Sequence, residues 1–173
     1  MTAPAAPEAS SEAVRHSMQG NKRANTKPEL IVRQRLREAG LSGYRLQWKV
    51  PGHPDIAYPG RKLAIFVNGC FWHRCPNCHP SSPKTHTEYW EAKFRRNVER
   101  DAENARKLED MGWSVLTVWE CELKRDKLDA TMERVVAEVS AAGERAARER
   151  EAAHERWLAR QAARQTATSN QEG

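Results

Sequence analysis

Apolar residues recur along this chain in distinct rhythms, and each rhythm marks a different element. Val32, Leu36 and Ala39 follow intervals of four and three, with Glu29 at the head of the same stripe, so all four share one face of a helix predicted over residues 26–39. Thr26-Lys27-Pro28-Glu29 supplies its start, with a threonine N-cap, a glutamate three residues on that completes a capping box, and a proline tolerated in the first turn; Gly40 supplies the stop. Alternation then takes over. Residues 44–50 read as a strand, Pro51-Gly52-His53-Pro54-Asp55 as a turn, residues 56–58 as a second strand and Pro59-Gly60 as a tight turn. Residues 62–67 hold a continuous apolar run, the pattern of a central strand buried on both faces.

The second half is more helical. A long helix is predicted over residues 88–111, stopped by Gly112, in which Trp90, Phe94, Asn97, Asp101, Asn104, Leu108 and Met111 share a face. That face is apolar at both ends and polar in the middle, so it either buries a hydrogen-bonded network or opens toward a site. Residues 113–119 form the last strand, and residues 123–142, with Leu128, Met132, Val135, Val136 and Val139, a closing helix. The expected class is α/β, a mixed central sheet flanked by helices.

Length and composition set the boundaries. A chain of 173 residues suits one domain with its own core. Residues 1–14 carry too few large apolar groups to offset the entropy of ordering and are expected to be disordered; residues 15–25 form a basic arm containing Met18. The domain is placed at residues 15–142. Residues 143–173, rich in Ala, Arg, Glu and Gln, are expected to be a charged tail, helical and then disordered, in which Trp157 has no explanation. Neither a membrane span nor the apolar run of a signal peptide is visible, so a soluble cytoplasmic protein is expected. The formal net charge of +6 is uneven, with nine Lys and Arg against two Glu between Arg15 and Lys49. Such an excess suits a polyanion partner, or a solvated basic helix.

Candidate chemistry concentrates between Gly69 and His79, where three cysteines, two histidines and the pair Phe71-Trp72 fall within eleven residues. Cys70, Cys75 and Cys78 supply three thiolates and Cys121 can supply a fourth, the set of a closed, structural zinc site whose binding energy counts toward folding. His79 could replace one of them. His73 is not needed as a ligand and suits a general base acting near neutral pH; Asp55, at the start of a strand, suits a hard cation such as Mg2+. Together these outline metal-assisted attack of water on a phosphodiester. Phe71 and Trp72 either cover the zinc loop or form a wedge that enters a base stack.

Four segments, PGHPD (51–55), AIFVNGCFWH (64–73), EYWEAKFRRNVERD (88–101) and MGWSVLTVWEC (111–121), resemble in order and spacing the very-short-patch repair (Vsr) endonuclease family, a variant of the restriction-endonuclease-like PD-(D/E)XK fold. The resemblance spans about residues 15–136. It implies an enzyme that nicks one DNA strand beside a T:G mismatch left by deamination of 5-methylcytosine, with magnesium for catalysis and zinc as a structural ion. It further implies that Asp55 and the backbone carbonyl of Val67 bind the catalytic metal, that His73 is the base, and that Glu29 holds metal-bound water as well as capping its helix. Phe71 and Trp72 would be the intercalating wedge, with Met18 entering from the other groove and Lys93 and Asn97 contacting the mismatch region. The implied partner is double-stranded DNA with a mismatch, bound by a monomer, with repair-pathway proteins as candidate further partners. Three departures stand out: Val67 in place of Thr, Asn68 in place of His or Asp, and Cys75 and Cys78 where relatives mix His and Cys. Val67 and Asn68 keep open a catalytically weakened, zinc-stabilised DNA-binding module, and because wedge and chemistry do not by themselves fix T:G, a nuclease for modified or foreign DNA stays open as well.

Overall fold

The computed structural model describes residue 12 and residues 24–169; the expectations for the N-terminal segment and for Met18 on the basic arm lie outside the described residues. In chain order the elements are α1 (Lys27–Glu38), β1 (Ile56–Tyr58), β2 (Leu63–Asn68), α2 (Thr87–Asp110), β3 (Ser114–Trp119) and α3 (Leu128–Ser169), with single 3-10 turns at Pro59–Arg61 and Glu120–Leu123. The sheet runs β1-β2-β3. β1 pairs antiparallel with β2, Ile56 opposite Ile65, and β2 pairs parallel with β3, Val67 opposite Val118. A parallel pair needs a long crossover, and α2 provides it.

β2 occupies the centre, and Leu63, Ala64 and Ile65 are fully buried, as the unbroken apolar run requires. The core joins that strand to Val32 and Leu36 of α1, Ile56 and Tyr58 of β1, Val118 of β3 and Met132, Val135 and Val139 of α3. The strand directions have a chemical consequence. β1 begins where β2 and β3 end, so Asp55 before β1, the loop after Asn68 and Glu120-Cys121 after β3 all gather at one end of the sheet.

Two elements differ from the sequence expectation. Residues 44–50 do not form a strand: Arg45 alone makes a bridge, exchanging backbone bonds of 2.7 and 2.8 Å with Ala57. Gln47 then turns left-handed at φ 46°; Tyr44 packs on the core beside Tyr58, but Leu46 and Trp48 are exposed, so burial does not hold the segment in register beyond its first residues. The closing helix also starts later, and the helical tail expected after residue 142 continues it without a break. The 3-10 turn Glu120–Leu123 precedes it, and α3 runs through Gly143 to Ser169 on good helix formers, with Trp157 exposed and stacked on His154. Gly143 survives mid-helix because the Arg61 side chain crosses there: a Cβ would sit 3.1 Å from Arg61 Nη1, which donates to the Val139 carbonyl at 2.8 Å. Arg150 Nη1 donates to the Gly60 carbonyl at 3.2 Å, tying the extension to the same turn. Among the described residues, no helix is long and apolar enough to cross a membrane.

Candidate active site and metal cluster

At the chemical end of the sheet lies an open pocket of about 1240 Å³, lined among others by Glu29, Asp55, Val67, Asn68, His73, Asp101, Asn104 and Glu120. Asp55 sits just before β1, facing the neighbouring strand. Its Oδ2 accepts the Val67 N–H at 2.8 Å and its Oδ1 accepts Gln47 Nε2 at 3.3 Å. Burial pushes its pKa up to about 6; the Val67 N–H pulls the other way, the charge of Glu29 adds to the rise, and Gln47 and His73 oppose it. A carboxylate in that state gains from a cation. Glu29 reaches the same pocket from α1 while fully engaged as a cap: Oε2 accepts Asn25 N at 2.9 Å, and Oε1 accepts Thr26 N at 3.2 Å and Thr26 Oγ1 at 2.7 Å.

His73 comes from the loop after β2, and its Nδ1 pairs with Asp101 Oδ2 on α2. That bond fixes the ring and leaves Nε2 for a second partner. The other Asp101 oxygen accepts Arg100 Nη2 at 3.1 Å. Burial raises the Asp101 pKa, but the bond and charge of His73, then those of Arg100, outweigh it and hold the carboxylate below its ordinary value. The polar middle of α2 is thus accounted for: Asp101 and Asn104 face the pocket, and Asn97 Nδ2 donates to the Trp72 carbonyl at 2.9 Å. Sequence reasoning placed Asp101 on this face without giving it a partner, and it missed Gln47, Arg100 and Glu120 as pocket residues.

The turn before Asp55 depends on one glycine. Gly52 has φ 77°, and a Cβ there would lie 3.0 Å from the Phe66 ring and 3.1 Å from Asn104 Cβ. Gly52→Ala is therefore expected to lower stability by about 1–3 kcal/mol, the range for overpacking, measured as the shift in urea midpoint. An unchanged midpoint would mean that the turn yields without strain.

Phe71 and Trp72 are half-buried against α2. Phe71 packs edge-on against Trp72, Trp90 and Phe94, with ring centroids at 5.0, 5.7 and 5.1 Å. Lys93 Nζ lies 5.2 Å over Trp72, 5.5 Å over Tyr89 and 5.3 Å over Trp90. Both readings of the Phe-Trp pair therefore share one aromatic cluster, and Trp90, unassigned in the sequence, belongs to it.

The four cysteines meet because Cys70 follows β2 and Cys121 follows its parallel neighbour β3. The sulfurs of Cys70, Cys75, Cys78 and Cys121 lie within 4.8 Å of one another and could hold a metal ion; His79 is outside the group. Cys75 and Cys121 Sγ are 3.7 Å apart. Backbone N–H groups point at the sulfurs, Cys121 N to Cys70 Sγ at 3.3 Å and Asn77 N to Cys75 Sγ at 3.4 Å. Burial pushes the Cys70 and Cys121 thiols up, whereas at Cys75 the N–H groups of Cys78 and Asn77, with the neighbouring thiols, outweigh burial and lower the pKa. Glu120 joins the cluster to the pocket, its Oε2 accepting Cys70 N at 3.3 Å.

Comparison with known proteins bears on this arrangement. Residues 9–79 match the family described as DNA mismatch endonuclease Vsr. The chain is 43% identical over 122 residues to the type II nicking enzyme V.NaeI of Lentzea aerocolonigenes, covering 68% of this chain and 73% of that one. It is 42% identical over 115 residues to the type II nicking enzyme V.XorIIP of Xanthomonas oryzae, covering 66% and 84%. With the DNA mismatch endonuclease Vsr of Escherichia coli the identity is 39% over 115 residues, covering 62% and 72%.

Proposed function

The chain belongs to the DNA mismatch endonuclease Vsr family, and from that premise we propose that it nicks one strand of duplex DNA next to a T:G mismatch by Mg2+-dependent hydrolysis of a phosphodiester. The observation that carries this reading is the convergence of Asp55, Glu29 and the His73–Asp101 pair on one pocket beside an aromatic cluster.

The oxygen donors fit a hard cation. Four carboxylates line the pocket, and the charge of one of them, Glu29, helps to raise the Asp55 pKa, a conflict that a divalent ion would relieve. Asp55 and the Val67 carbonyl would hold Mg2+, whose charge would stabilise the phosphate oxygens while the water oxygen replaces a sugar oxygen on phosphorus and the departing alkoxide takes a proton from solvent. His73 takes the proton of the attacking water at Nε2, and Asp101, ionised and bound at Nδ1, steadies the imidazolium that results. Glu29 is held rigidly by Asn25 and Thr26, so it can orient water in the pocket without swinging away. The thiol cluster suits Zn2+: tetrahedral Zn–S bonds of about 2.3 Å place sulfurs about 3.8 Å apart, near the Cys75–Cys121 spacing. Such an ion fixes the loop and takes no part in the reaction.

Phe71 and Trp72, with Trp90 behind them, form the wedge that enters the base stack, and Lys93 and Asn97 stand beside it to contact the mismatch, with Met18 on the arm as the partner from the other groove. A mismatched step is easier to unstack than a paired one, so the wedge favours it.

The test is nicking of duplexes that differ only at one position, T:G against T:A and C:G, with and without Mg2+. Mg2+-dependent nicking of the T:G duplex is expected, and His73→Ala should slow it roughly 10²–10⁴-fold with DNA binding retained. Cleavage confined to modified or fully paired DNA would transfer the activity to another target. Binding without cleavage would reduce the protein to a binding module.

A further inference from the structure

Beside the reaction pocket, α2 carries a second, shallower groove of about 520 Å³ lined by Lys93, Arg96, Asn97, Glu99, Arg100 and Glu103. Arg100 lines both. Its guanidinium spends one N–H on Asp101, whose other oxygen holds His73, and more than half of its side chain remains exposed. The reaction pocket is otherwise poor in positive charge. Glu29, Asp55, Asp101 and Glu120 line it, and among the described residues Lys27 and Arg100 are its only Lys or Arg. The strand after Asp55 reads Ile56-Ala57-Tyr58 and supplies no lysine. Beyond the charge that a metal at Asp55 would supply, a phosphodiester entering an acidic pocket gains from a fixed cation on the protein, and a guanidinium can hold two acceptors in one plane at once.

We propose that Arg100 binds a backbone phosphate of the nicked strand where it passes from the groove into the pocket, while its bond to Asp101 ties that contact to the His73 ring. The inference rests on the nuclease reading for the identity of the strand. The groove serves as the track leading to the site, with Arg96 one helical turn before Arg100 on α2. A lysine cannot reproduce both bonds in the same geometry, so charge and fork are separable by substitution.

The experiment uses the full chain, a fluorescent duplex with one T:G pair, and binding measured without Mg2+ over a series of salt concentrations. Each phosphate contact contributes about 0.9 to the slope of log affinity against log salt. Arg100→Gln is expected to lose about one such contact and to nick at least tenfold more slowly at saturating protein. Arg100→Lys should keep the slope, since its charge remains, and still nick more slowly than the unaltered chain. Arg106→Gln, on the same helix but lining neither pocket, should change neither quantity. An unaltered slope in Arg100→Gln overturns the proposal, as does a rate in Arg100→Lys equal to that of the unaltered chain. The slope is read whether or not the strand is cut. A chain that binds and never nicks therefore defeats the nuclease reading alone, and the slope still decides Arg100.

Discussion

Asp55→Asn is expected to abolish nicking and, at the same time, to make the magnesium-free protein more stable. The loss follows from the position of Asp55 as the carboxylate that would hold the cation; removing several kcal/mol of charge stabilisation corresponds to roughly a thousandfold or more in rate. The gain follows from its surroundings. Its folded pKa of about 6 lies above the ordinary 3.8, so the folded state binds a proton more tightly than the unfolded state does. Stability from this group is therefore complete below the ordinary value and is lost as pH rises toward and through 6. At pH 7.5 the ionised carboxylate costs the fold about 2 kcal/mol, allowing for screening by the remaining solvent. Asparagine removes the charge and keeps an oxygen for the Val67 N–H, while Gln47 can turn its amide to meet the new NH2. In urea without added Mg2+, the variant should unfold at a higher midpoint than the unaltered chain at pH 7.5, and the gap should narrow at pH 5. Equal midpoints at both pH values would show that burial does not strain this carboxylate. Retained nicking would remove it from the reaction.

That trade of stability for chemistry was partly visible in the sequence. The PGHPD turn announces an aspartate at the head of a strand, and the apolar run before Asn68 announces a buried neighbour, but their antiparallel pairing is what brings the Val67 N–H to Asp55. Glu29 was legible as a cap because its partners, Asn25 and Thr26, are local. The His73–Asp101 bond joins positions 28 apart, and only the crossover geometry of α2 turns its polar middle toward the loop. Local signals also misled. Residues 44–50 alternate as a half-buried strand does, yet alternation specifies two faces and not a partner, and among the described residues none pairs with the segment after the single bridge at Arg45. At Gly143 the composition announces a continuing helix but not the reason for the glycine, whose missing side chain makes room for Arg61.

The thiol cluster is where a single substitution should reach furthest. Cys75 is buried, 3.7 Å from Cys121 Sγ, and receives the Asn77 N–H, so of the four candidate ligands it is the one solvent can least replace. Cys75→Ser is expected to weaken Zn2+ binding by more than about 100-fold, the upper loss typical of a mere supporting partner, in a chelator competition assay. The consequence extends past the metal. Phe71, Trp72 and His73 lie between Cys70 and Cys75, and the loop's backbone is pinned by His73 N to the Gly69 carbonyl at 3.2 Å and Cys75 N to the Cys70 carbonyl at 3.0 Å. Without the ion, four crowded thiols no longer offset the entropy of holding that irregular path, and binding energy that counted toward folding is lost. Nicking should therefore fall together with zinc content, and extra Mg2+ should not restore it, because the defect would lie in the placement of His73 and of the Phe71-Trp72 pair proposed as the wedge. Cys78→Ser, at the exposed corner of the cluster, should lose less of both, since solvent can replace a ligand there more easily. Full zinc content at unaltered affinity in Cys75→Ser would exclude Cys75 as a ligand. Full activity in a zinc-free chain would show that the loop holds its shape through the packing of Phe71 on Trp90 and Phe94 alone.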